Sequence, residues 1–173
     1  MFTSTALTFV VFSLAFSPTV VNSERLFICD FERDTCRFTN EERNTASWVR
    51  EEVEFGGREG YVMTIEQNDA TIQRASMGKS YFEIHDETPG CFSFDYYTFG
   101  NGTQYFSSTQ EMSIGAAGIW SFDNTEIISG WKKARISVNI DDSTRFILYA
   151  MINRSLGEGV VAVDNVALDV NHC

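Results

Sequence analysis

The chain has 173 residues, of which 43% are hydrophobic, 14% aromatic and 21% charged, with 4 cysteines and 2 prolines. That many large apolar side chains excludes a disordered or low-complexity chain, and the length fits one domain with a real core rather than two. The net charge of −11 argues against non-specific association with nucleic acid or anionic lipid, since both are polyanions.

Residues 1–23 contain no Asp, Glu, Lys, Arg or His. An apolar stretch at 6–16, broken by Thr8 and Ser13, leads to Pro18 and then Val20-Val21-Asn22-Ser23. Val21 and Ser23 fit the small-residue positions of a signal peptidase site, which predicts cleavage before Glu24. A membrane span needs about 20 apolar residues, more than this stretch supplies. The chain has no second apolar run and no hydrophobic tail at Cys173, so no span or C-terminal lipid anchor is expected. The predicted product is a secreted domain at 24–173, which keeps every charge and all four cysteines.

In an exported chain an even cysteine count reads as disulfides. Cys29, Cys36, Cys91 and Cys173 allow three pairings, and spacing does not choose among them. Zinc would want CxxC-like pairs or nearby histidines, and the only histidines are His85 and His172.

Period 2 dominates the rest. Ala134-Arg135-Ile136-Ser137-Val138-Asn139-Ile140 alternates apolar and polar, as a strand with one buried and one wet face does. Cys91-Phe92-Ser93-Phe94-Asp95-Tyr96 and Val166-Ala167-Leu168-Asp169-Val170 read the same way, whereas the apolar run at 146–152 predicts a strand covered on both faces. Gly56-Gly57, Pro89-Gly90, Gly100-Asn101-Gly102, Asp141-Asp142-Ser143 and Gly157-Glu158-Gly159 read as turns, and Gly115-Ala116-Ala117-Gly118 as a small loop leading to Trp120. Many short strands with no capped helix predict an all-β antiparallel sandwich. Trp48, Phe55, Tyr61, Phe92, Phe94, Trp120, Trp131 and Phe146 are the expected aromatic core.

These residues carry a resemblance. Cys29-Asp30-Phe31-Glu32, Cys36 and Trp48 resemble the opening of a MAM domain, the family of meprin, the A5 antigen and receptor tyrosine phosphatase mu. Cys91 to Tyr97 with the glycine turn after it is similar to the family's central strand. Trp131, Gly157, Gly159, Val161-Ala162-Val163-Asp164-Asn165-Val166-Ala167-Leu168 and Cys173 are similar to its ending. Departures are Arg37-Phe38 where the family has Gly-Trp, Asn44-Thr45-Ala46-Ser47 in place of acids before Trp48, and Asn165 for a second Asp. The resemblance implies a jelly-roll sandwich with the pairs Cys29–Cys36 and Cys91–Cys173. It also implies work by protein contact, often homophilic.

Catalytic residues are not expected. A hydrolase triad needs a histidine base; His85 reads as a solvated strand-end residue, and His172 has no visible partner. No metalloprotease, nucleophile-elbow or phosphate-loop motif occurs. Adjacent Asp141 and Asp142 would face opposite ways on a strand, and Ser143-Thr144 after them marks a turn. A metal site is the stronger idea. A strand through Asp30, Glu32 and Asp34 would put three carboxylates on one face, and a cation would relieve their repulsion. Oxygen ligands select Ca²⁺ or Na⁺, and the resemblance points to Glu32 and Asp164 as the ligands; the missing acids before Trp48 leave fewer charged ligands, and the alternative is that Asp164 bonds backbone amides and pins the last strand. Asn101-Gly102-Thr103 and Asn153-Arg154-Ser155 are N-glycosylation sequons at turns or strand ends, so Asn101 and Asn153 are expected glycan carriers.

The expected function is non-catalytic recognition outside the cell: adhesion, matrix assembly, or association with itself as a homodimer or with a larger extracellular receptor. One alternative is an acidic matrix protein whose carboxylates hold calcium or mineral weakly and collectively. A secreted enzyme or effector is the other, and it lacks a catalytic set.

Overall fold

The computed structural model describes residues 24–80, 82, 84, 86–122, 130–171 and 173. The leader at 1–23, His85 and His172 lie outside the described residues. Among the described residues, eleven strands run in chain order: β1 Glu24–Cys29, β2 Thr39–Asn40, β3 Trp48–Phe55, β4 Arg58–Ile65, β5 Ile72–Lys79, β6 Thr88–Phe99, β7 Thr103–Met112, β8 Gly115–Ser121, β9 Lys132–Ile140, β10 Arg145–Asn153 and β11 Val160–Val170. All pairings are antiparallel. One sheet, here sheet A, has the order β3-β4-β11-β6-β9, with β1 also paired to β11; sheet B has the order β2-β5-β10-β7-β8. The chain passes repeatedly between the sheets, giving a jelly-roll-like sandwich.

Alternation explains the strand faces. In β9, Ala134, Ile136, Val138 and Ile140 are buried while the residues between them are exposed. Between the sheets, Phe92 stacks on Phe146 with centroids 4.1 Å apart, and Phe94 meets Phe106 edge-on at 5.8 Å. Trp48 lies against Phe106 at 6.1 Å, and its backbone is held on both sides by the Asn40 amide. The disulfides are Cys29–Cys36 and Cys91–Cys173.

Several expectations need correction. β10 is not covered on both faces: Arg145, Ile147, Tyr149 and Met151 are half-buried on its outer face. Val166 to Val170 has no wet face, because Asp169 is buried under an ion pair with Arg25 at 2.7 Å. Pro89-Gly90 lies inside β6, opposite Asn139 and Val138, rather than in a turn. Gly115-Ala116-Ala117-Gly118 is the start of edge strand β8; low strand propensity misled the reading, and an edge tolerates such residues. Phe55, Tyr61 and Trp131 are only partly buried and lie outside the core cluster.

Candidate functional site

Two surfaces carry chemistry. The first is on the outer face of sheet A. Asp95 in β6 and Asp164 in β11 are partners in register, so two carboxylates face one another across the ladder. Opposed like charges destabilise a sheet, and here a cation answers them. Arg58 at the start of β4 donates from Nη1 to Asp164 Oδ2 at 2.6 Å and from Nη2 to Asp95 Oδ2 at 2.9 Å. Lys133 Nζ lies 3.3 Å from Asp95 Oδ1. Asn165 sits at φ 50 in the bulge of β11. Its backbone N–H donates to Asp164 Oδ1 at 2.7 Å and its amide to Asp95 Oδ2 at 2.9 Å. Asparagine at the family's second Asp position thus supplies donors where an acid would add repulsion.

Aromatic rings roof this cluster. Arg58 Cζ lies 4.2 Å from the Trp131 ring centroid, a cation–π distance. Phe55 stacks on Trp131, and Tyr97 closes on Phe55 at 4.8 Å. Gly56 makes this possible: its φ is +62, and a Cβ there would stand 2.7 Å from the Tyr97 ring.

The two acids titrate differently. Burial raises the Asp95 carboxyl, but hydrogen bonds from Arg58 and Asn165 and the charge of Lys133 outweigh it and hold the group below its ordinary 3.8. Burial dominates at Asp164 and sets it above 3.8, against the Asn165 N–H and Arg58, with the Asp95 charge adding to the rise. Asp95 therefore contributes stability that is present above pH 3.8 and is lost as pH falls through its lower folded value. Asp164 works the other way: the folded state loses stability as pH climbs from 3.8 through its raised value. Urea midpoints measured over about pH 2–6 should fall less steeply on the acid side in Asp95→Asn. In Asp164→Asn the loss above 3.8 should vanish. Unchanged slopes in both variants would refute the assignment.

The predicted metal ligands are divided. Residues 31–34 form bends and residue 30 lies outside β1, so no strand puts Asp30, Glu32 and Asp34 on one face. Phe31 takes φ 55 and is fully buried, which turns the chain there. Asp30 and Asp34 accept from the backbone N–H of Glu32 and Cys36, two residues on, as turn-forming aspartates do. Glu32 Oε1 accepts from the Tyr61 N–H at 3.2 Å, over Gly60, while Asp164 is bound to Arg58 and Asn165. Among the described residues, no three His, Cys, Asp or Glu side chains group as a cation site. The Arg58 guanidinium bridges Asp164 and Asp95. Asp141 is a turn residue: its Oδ1 accepts from Ser143 and Thr144.

The second surface is the outer face of sheet B. Tyr105 on β7 and Tyr149 on β10 pair with centroids 5.9 Å apart, and Tyr105 is 40% exposed. Ser76 and Ser107 stand opposite Tyr149 on either side, and Met151 opposite Tyr105. Arg145 on the same face bridges Glu41 and Glu111, passing over Gly78, where a Cβ would lie 2.7 Å from Nη2. At the end of the sandwich, exposed Asn101 in the turn after β6 and half-buried Asn153 at the end of β10 lie close together: the Asn153 N–H donates to Gly102 O at 2.7 Å.

Sequence reading missed Arg58, Asn165 and the tyrosine pair. Acids within apolar strands, Asp95 and Asp164, were the available signal, because a buried carboxylate demands a partner. No local signal marks the tyrosines, whose meeting depends on strand register.

These features define a disulfide-tied antiparallel β-sandwich. The chain belongs to the MAM domain family (meprin/A5/mu), whose model matches residues 29–173. It is 27% identical over 158 residues to human MAM domain-containing protein 2, covering 84% of this chain and 23% of that protein. The chain thus spans under a quarter of that relative's length. Similar folds include the CBM22-1–GH10 modules of Clostridium thermocellum endo-1,4-β-D-xylanase 10B, with TM-score 0.59 and 13% identity over 86% of this chain and 29% of that one. A xylan-binding domain from Paenibacillus barcinonensis gives TM-score 0.54 and 12% identity over 87% and 97%. An adhesin domain of Lys-gingipain from Porphyromonas gingivalis gives 0.56 and 6% over 84% and 98%. At these identities the likeness is one of fold.

Proposed function

We propose that this chain is a secreted, N-glycosylated recognition domain that works by protein contact at the outer face of sheet B, without catalysis. The observation that carries the reading is the Tyr105–Tyr149 pair, on the same sheet face that carries Arg145 further along β10. Tyrosine and arginine are the residue types on which interface energy concentrates, and a sheet backed by a packed core presents them rigidly. Family membership supports contact as the mode of action, and two disulfides suit an oxidising compartment. Among the described residues no helix is long and apolar enough to cross a membrane. Self-association through this face would make a homodimer and supply avidity. Light scattering of the secreted protein, with and without Tyr105→Ala/Tyr149→Ala, tests that route: a dimer mass that falls to monomer in the variant is expected, and a dimer indifferent to it places the contact elsewhere.

A second reading is a polysaccharide ligand on the same face. Exposed Tyr105 with half-buried Tyr149 against it favours it, since aromatic rings stack on sugar C–H faces, and the similar Paenibacillus barcinonensis fold is a xylan-binding domain. Glycan-array binding that disappears in the double variant would favour this reading over protein contact.

A further inference from the structure

Phe99 ends β6 with 52% of its surface exposed. Two residues on stands exposed Asn101, and Thr103 completes Asn-Gly-Thr. The five residues 99–103 are fixed as one turn. The Thr103 N–H donates to Gly100 O at 3.1 Å, and its hydroxyl donates to Phe99 O at 2.7 Å. The turn is packed against 157–159: the Gly102 N–H donates to Glu158 O at 2.7 Å, and a Cβ on Gly100 would stand 2.2 Å from that oxygen. Gly100 also takes φ +82, so the turn has little freedom to reshape. An exposed aromatic ring and a sequon asparagine are thereby held two residues apart on one rigid corner.

We propose that Asn101 carries an N-linked glycan whose first sugar packs its C–H face on the Phe99 ring, so that the glycan stabilises the fold. In the attachment, Asn101 Nδ2 bonds to C1 of N-acetylglucosamine and displaces the diphosphate of a lipid-linked oligosaccharide, the amide giving up one proton. The physical gain is apolar: the ring and the sugar face leave water together. The other sequon lacks this feature, since Met151 stands two residues before Asn153. The inference rests on export but not on recognition, so it can fail while the binding reading stands.

The test uses protein secreted from eukaryotic cells in an Asn153→Gln background, leaving Asn101 as the remaining sequon. Intact mass should show one glycan. Trimming to a single N-acetylglucosamine should leave the melting temperature unchanged, and complete removal should lower it by about 2–4 °C, the shift that about 1 kcal/mol gives in a domain of this size. In Phe99→Ala, complete removal should shift melting by less than half as much. An unmodified Asn101 in the secreted protein overturns the proposal. So does a loss on removal that is the same with and without Phe99.

Discussion

Replacing Cys91 and Cys173 together by serine is expected to lower the unfolding free energy by about 4.5 kcal/mol and the melting temperature by about 9–18 °C. The bridge spans a sequence separation of 82, and the chain-entropy relation gives that figure for a loop of such length. Native geometry supports the full effect. Cys91 is fully buried in β6, and β11 pairs beside it up to Val170 opposite Gly90. The disulfide carries the tie on to the last residue just beyond the ladder. Cys29–Cys36 has a separation of only 7, and its loss should cost about 2.5 kcal/mol. Urea unfolding of the two double-serine variants checks the order. Equal losses, or a larger loss at the short bridge, would contradict it.

Arg58→Met is expected to destabilise the domain by about 3 kcal/mol. The Asp95 and Asp164 side chains are 14% and 8% exposed, and Arg58 is the one side chain that ion-pairs with both among the described residues. Removing it leaves two facing carboxylates with Lys133 on one of them and little water. Methionine keeps much of the volume under Trp131, so the loss reports charge more than packing. Adding Asp95→Asn and Asp164→Asn to the same chain should recover about two-thirds of the loss, because the repulsion goes with the charges. A triple variant no more stable than Arg58→Met would show that the guanidinium acts through its contact with Trp131 instead.

The sandwich was legible because its signals are local. Period 2 in Ala134 to Ile140 marks a strand, and the end motifs place the cysteines. Errors arose where a face is decided by something distant. Asp169 looks like a wet-face residue until β1 brings Arg25 to it. Ile147 and Tyr149 look like core residues because apolar side chains on an outer sheet face cannot be told from inner ones by periodicity alone. Glu32 and Asp164 were both visible as acids in motifs, but their separate partners, Tyr61 and Arg58, come from β4. No spacing rule reports that strand's position. Tyr105 and Tyr149 meet because β7 and β10 are neighbours in register, a fact of topology.

Contact through sheet B is tested most directly by equilibrium binding of the labelled, glycosylated domain to cells of its own source. Saturable binding is predicted, competed by unlabelled protein, abolished when the cells are treated with protease, and weakened at least tenfold by Tyr105→Ala/Tyr149→Ala. Binding that does not saturate, or that the double variant leaves untouched, would contradict the assignment of this face.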